Sequence, residues 1–159
     1  FKQKTAYEIR PRDWSSDVCS SDLIQVSLVP AEHVDGCWGK IEAFVEKAAK
    51  YTYGRYSAAN IYDMVIDGDY QLWIAFTDNK IKGAVITNVV TYPQRKLLCM
   101  QFCGGEDLKD WKEPMLALLR RFATDIGCDG IESTARPGWA KIFQNDGYAA
   151  NWVTFELPL

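Results

Sequence analysis

The chain has 159 residues, enough for one domain, and 48% of them are hydrophobic, so it can bury a core of its own. A formal net charge of −3 speaks against nucleic acid as the main partner, because phosphate neutralisation needs a basic face. Five cysteines without a CxxC pair, and His33 as the only histidine, argue against a zinc set or a Cys–His pair; no run approaches the ~20 apolar residues of a membrane span and no signal-peptide core opens the chain, so a cytoplasmic protein with reduced thiols and no metal or membrane partner is expected.

Residues 1–23 lack a sustained apolar period and are crowded with Ser and Asp towards their end. The strings KQKTAYEIR and DWSSDVCSSDL resemble translated sequencing-adaptor DNA. The expected organisation is therefore a non-native or disordered leader over 1–23 and a single domain over 24–159.

The domain opens with an alternating, β-rich stretch at 24–29, ended by Pro30. Val34, Cys37, Trp38, Ile41, Phe44, Val45 and Ala48 then fall at helical spacing over 34–53, with Gly54 as a stop. His33 at the start of that helix reads as a cap or surface residue. Ser57 is placed to cap a second helix over 58–66, with Ile61, Tyr62 and Val65 inward. Strands follow at 70–77 and 81–92, joined by a tight Asp78-Asn79-Lys80 turn into a hairpin. The nearly all-apolar LLCMQFC at 97–103 reads as a strand buried on both faces, interrupted by Gly104-Gly105.

Leu108, Trp111, Met115, Leu118, Leu119, Phe122 and Ile126 form the stripe of a third helix, with Pro114 either kinking it or marking a later start. A short strand at 130–134, a helix at 139–145 and a last strand at 152–157 complete the order β-α-α-β-β-β-α-β-α-β. That is an α/β fold with a mixed central sheet and helices on both faces.

This order resembles the GNAT (acyl-CoA N-acyltransferase-like) superfamily. The hairpin WIAFTDNKIKGAVITNVVTY and the closing AKIFQNDGYAANWVTFEL, with its Gly147-Tyr148 pair, carry the likeness. The run CGGEDLKDWKEPMLALLRRFATDIGCDGIESTARPGWAKIF more narrowly resembles small GNAT-like proteins of tailed phages and prophages. The resemblance implies an N-acyltransferase that moves an acyl group from acetyl-CoA or another acyl-CoA to an amine, carried by a small molecule or a protein. The alternative is a catalytically degenerate scaffold, acting as a binding or structural component with a phage protein partner in the host cytoplasm.

The same likeness assigns cofactor contacts to Gln101, Phe102 and Cys103 on the fourth strand, to Gly104, Gly105 and Asp107 in the loop that follows, and to Phe143 on the fourth helix. A helix N-terminus with glycines before it suits a diphosphate, through free amides and close approach. Here Glu106 and Asp107 stand in that loop. As two like charges they would oppose a diphosphate and keep acyl-CoA binding weak. Asp107 is otherwise expected to cap the helix, with Glu106 complementing its dipole. Phe143 stands where many such enzymes carry a tyrosine, and Arg136 where they carry an asparagine. Glu132, beside the expected cleft, is the candidate general base. The discriminating feature is whether the strands carrying Cys103 and Glu132 part, and whether Phe102 and Trp139 fill the slot between them.

Overall fold

The computed structural model describes residues 23–78, 80–151 and 153–159. The leader expectation therefore falls, but for Leu23, outside the described residues. Five strands form one sheet in the order β1-β2-β3-β4-β5: Gln25–Val29, Gln71–Phe76, Ile81–Thr91, Lys96–Gly105 and Gly130–Ser133. The first three pairings are antiparallel and β4–β5 is parallel. Helices α1 (Val34–Ala49) and α2 (Ala58–Ile66) cover one face, and α3 (Leu108–Asp125) covers the other, with the short α4 (Ala140–Gln144) at its side. The α/β class and mixed sheet agree with the sequence reading.

Strand alternation sorts the two cores. On β2, Leu72 and Ile74 face α1 and α2, whereas Trp73 and Ala75 face α3. The buried polar group on β3 is satisfied: the Trp73 indole donates to Thr87 Oγ1 at 2.8 Å, and that hydroxyl donates to Gln71 Oε1 at 3.0 Å. Ser57 caps α2 as expected, within a full capping box. Its hydroxyl accepts from the Asn60 N–H, and the Asn60 side chain accepts from the Ser57 N–H.

Four expectations change. The first helix ends at Ala49 and tightens into a 3₁₀ turn over Lys50–Thr52, where Thr52 donates its hydroxyl to the Ala49 carbonyl. Gly104 and Gly105 do not interrupt β4; they are its last residues. A Cβ on Gly104 would stand 2.6 Å from the Phe44 carbonyl oxygen, and one on Gly105 2.5 Å from that of Lys82. The two glycines let β4 lie directly against α1 and β3. On α3 the helix runs unbroken through Pro114, and its buried line is Trp111, Met115, Leu116, Leu119 and Ala123; Leu118 is only half-buried. Finally, the last strand does not form: residues 153–159 pair with no strand, and Val153, Phe155 and Leu157 are exposed.

Candidate functional site

β5 accompanies β4 only over Leu97, Leu98, Cys99 and Met100, ending where Ser133 donates its hydroxyl to the Met100 carbonyl at 3.1 Å. Beyond that point β4 stays paired with β3 as far as Gly105. Among the described residues no strand lies on its other side. Pairing of the two strands ends at this point of parting and leaves backbone edge at the C-terminal half of β4.

A cavity of about 140 Å³ opens there. Its floor is Cys103, Gly104 and Gly105. One wall is a stripe of α1, Phe44, Lys47, Ala48 and Tyr51, at the i, i+3, i+4, i+7 spacing of one helix face. Leu108 and Trp111 from the start of α3 close the second side, and Arg136 and Trp139 from the segment after β5 close the third. The Arg136 guanidinium lies 4.3 Å over the Tyr51 ring and ties that segment to α1. Trp139 stacks on Phe143 at 5.5 Å between centroids. Lys47 and Arg136 put two cations on the rim. Burial pushes the Cys103 thiol up to about 12, so the floor carries a neutral S–H and not a nucleophilic thiolate.

The acidic loop is arranged differently from the expectation. Glu106 ion-pairs with Lys80, and Asp107 meets Lys82 at 3.2 Å. Asp107 occupies the N-cap position of α3 with φ 49°, and its side chain makes no capping bond. The cap reading is therefore corrected. The cause is the β3–β4 register: Gly83 stands opposite Gly105, and the Glu106 N–H donates to the Lys82 carbonyl at 2.7 Å. The carboxylates are thereby drawn back along β3, and neither lines the cavity.

Glu132 lies one residue before the point of parting, on the face that α1 and α2 cover. Cys99 stands opposite it on β4. The Tyr92 hydroxyl donates to Glu132 Oε1 at 3.0 Å, and this bond raises the Tyr92 pKa. Burial, followed by the charge and hydrogen bond of Glu132, pushes the Cys99 thiol up to about 12. Beside them Gln101 donates to Asn88 Oδ1 at 3.1 Å. Tyr70 is hydrogen-bonded to Tyr56 and rises to about 12, mainly through burial, with Asp69 adding to it. None of these groups lines the cavity.

Of the residues singled out from sequence, the structure brings Cys103, Gly104 and Gly105 together at the cavity. Gln101 points to Asn88 instead, Phe102 packs edge-on against Tyr56 at 5.3 Å in the α1–α2 core, and Asp107 pairs with Lys82. Phe143 lies between Trp139 and Tyr148 in the core beneath α3. Phe102 therefore does not fill the slot, while Trp139 forms one of its sides. His33 is exposed and its side chain caps nothing. Sequence reasoning missed Lys47, Tyr51 and the cavity role of Arg136. The α1 pair was open to detection as a polar extension of the Phe44–Ala48 stripe. Among the described residues no helix is long and apolar enough to cross a membrane, and no His/Cys/Asp/Glu group is placed to hold a metal ion.

Strands that part beside a helix N-terminus, in a mixed sheet of this order, are the features of the GNAT acetyltransferase fold, and comparison with solved structures shows that fold. An aminoglycoside acetyltransferase from an uncultured soil metagenomic sample superimposes with a TM-score of 0.62 at 12% identity, over 87% of this chain and 97% of that one. The ribosomal-protein-alanine N-acetyltransferase of Brucella melitensis biovar Abortus 2308 gives 0.64 at 12% identity, over 86% and 99%. A GNAT family acetyltransferase of Staphylococcus aureus subsp. aureus USA300_TCH1516 gives 0.62 at 14% identity, over 86% and 98%. No family model matches the sequence, and no curated protein matches it.

Proposed function

We propose that the protein is an N-acyltransferase that moves an acyl group from an acyl-CoA to an amine. The observation that carries this reading is the parting of β4 from β5 at Met100 and Ser133, above a cavity whose floor is two glycines. An unpaired strand edge offers amides and carbonyls to an extended, amide-containing chain such as pantetheine. Lys47 and Arg136 stand where phosphate charge would be neutralised. The carboxylates of Glu106 and Asp107 are already paired with lysines, which weakens the objection that they exclude a diphosphate.

Acyl-CoA, when bound, supplies the activated thioester. The chain's own residues do the rest. The β4 edge orients the acyl carbonyl near the point of parting. Glu132, next to that point though outside the cavity lining, holds the proton that the amine must lose before it attacks, directly or through one water. Its carboxylate is kept in place by Tyr92 and Cys99. Phe143 has no proton to give, so the leaving thiolate takes its proton from solvent or from the proton that Glu132 holds. The structural neighbours named for aminoglycoside and for protein-alanine acetylation support an amine acceptor of small-molecule or protein origin.

Titration calorimetry with acetyl-CoA tests the reading. Binding in the micromolar range, weakened by Lys47→Ala and by Arg136→Ala, is expected. The absence of heat with the wild-type protein would transfer the weight to the non-catalytic scaffold, a phage-type binding component, as the use of this fold.

A further inference from the structure

We infer that Ser133 is the catalytic hydroxyl of the leaving-group side: it turns from the Met100 carbonyl to the sulfur of the acyl donor and holds that sulfur, by a donated hydrogen bond, as it departs. The inference rests on the acyltransferase reading and deepens it.

The place of Ser133 is the first observation. It is the last residue of β5 and stands opposite Met100 on the final rung. The next residue of β4, Gln101, has no partner on β5, and the β3 register skips it, with Ile86 opposite Phe102 and Thr87 opposite Met100. The free edge of β4 therefore begins one residue from Ser133 and ends at Gly105. Four residue steps of strand make it about 14 Å long. Twelve bonds separate the diphosphate oxygen of a CoA from its sulfur, and an extended chain advances about 14 Å over that number. A diphosphate at Gly105 and the start of α3 thus sets the sulfur at Gln101, beside Ser133, although Ser133 itself stands outside the cavity lining.

The second observation is the face. Side chains alternate along β5. Ile131 packs in the core beneath α3, in the cluster that holds Phe143, whereas Glu132 lies on the face that α1 and α2 cover. Ser133 returns to the Phe143 side. The proton acceptor for the amine and the hydroxyl for the thiolate accordingly flank the rung from opposite faces of the sheet.

The third is the want of another donor there. Phe143 has none. The Tyr148 hydroxyl is buried without a partner, but the charges acting on it are Arg120 and Asp146, and Arg120 lies about 18 Å along α3 from its start. Ser133 makes a single, exchangeable bond, 3.1 Å to the Met100 carbonyl. An amide N–H of the extended donor can take over that carbonyl as a strand neighbour would, which frees the hydroxyl without leaving a polar group unpaired. As the carbon–sulfur bond breaks, the sulfur keeps the electron pair and accepts the Ser133 O–H. The serine keeps its own proton, since an alcohol is a far weaker acid than a thiol; the proton lost by the amine ends on the sulfur.

Calorimetry of the full chain with CoA and with desulfo-CoA, at about pH 7 and pH 9, tests this without any acceptor. A charge-assisted hydrogen bond should lower the bound CoA thiol from ~8.5 to ~7, so CoA should gain about tenfold in affinity over desulfo-CoA between the two pH values. Ser133→Ala should keep no more than about twofold of that gain, and Ser133→Thr should retain it. The charged and titratable groups around the rung are Glu132 and Arg136 on its own segment, Cys99 and Cys103 on β4, and Tyr148 beneath α3. All are the same in the variants, and desulfo-CoA reports any effect they have on the rest of the ligand. Desulfo-CoA that binds while CoA shows no gain, or a gain that survives in Ser133→Ala, overturns the inference and leaves the acyltransferase reading standing. Failure of desulfo-CoA and CoA alike to bind overturns both.

Discussion

Lys80 and Lys82 neutralise the two carboxylates at the mouth of the cavity, so removing them should weaken acyl-CoA binding although neither lysine lines the cavity. Asp107 precedes the lining residue Leu108 and Glu106 follows the lining residue Gly105. Two residue steps bound the separation from a diphosphate at about 8 Å. At that distance in water one unit pair interacts by ~0.5 kcal/mol, so a doubly charged diphosphate feels ~1 kcal/mol per unmasked carboxylate. Screening over one Debye length leaves ~0.4 kcal/mol each at physiological salt. The double variant Lys80→Ala/Lys82→Ala should then raise Kd about fourfold at 150 mM salt and about fifteenfold at 10 mM. The fold itself should lose only the worth of two exposed ion pairs, ~0.2–1 kcal/mol each. Calorimetry at the two salt concentrations reads the effect, and adding Glu106→Gln and Asp107→Asn should restore wild-type affinity. A Kd that changes equally at both salt concentrations, or not at all, would show that the loop charges do not face the bound phosphates.

Two further outcomes follow from packing and burial. Leu119→Ala removes a fully buried side chain from the α3 core and should cost about 2–5 kcal/mol in urea unfolding, against clearly less for half-buried Leu118→Ala; equal costs would mean that α3 is rotated from the position described. The Cys99 and Cys103 thiols both stand at about 12 in the fold against an ordinary value of 9.0. Between those limits the unfolded chain releases these protons and the folded chain keeps them, so stability is level below about pH 8 and falls as pH rises from 9 towards 12. Urea midpoints at pH 8 and 10 should differ less in Cys99→Ser/Cys103→Ser than in the wild type, and iodoacetamide should label both thiols slowly at pH 8 unless urea is present.

What could be read from the sequence was whatever one element decides by itself. The Ser57 cap, the hairpin, and the apolar run of β4 depend on neighbours a few residues away, and each stands close to where the sequence pattern put it. Leu118 against Leu116 could not be decided in that way. Both flank the Trp111–Met115–Leu119–Ala123 line, and the rotation that buries one of them is set by contact with another element: the Trp111 ring lies where a Cβ on Gly83 would be, 2.3 Å away. The loop charges show the same limit more sharply. Glu106 and Asp107 read as a barrier to phosphate because their partners lie 26 and 25 residues earlier. Only the register that sets Gly83 opposite Gly105 brings Lys80 and Lys82 beside them. That register was within reach only through the turn and the two glycines, since β4 is apolar on both faces and its pattern does not oppose a slip of one residue. Arg136 was not within reach: it sits in an irregular segment between β5 and α4, where no period applies, and its place is fixed by the Tyr51 ring at the far end of α1. The sequence pattern of the tail had the opposite fault. Alternation at 153–157 states that a strand is compatible with those residues, but pairing requires an edge, and no edge among the described residues has taken it. Local pattern thus specifies the faces of elements, while the groups that would hold a phosphate or a proton are brought together by register and by loops.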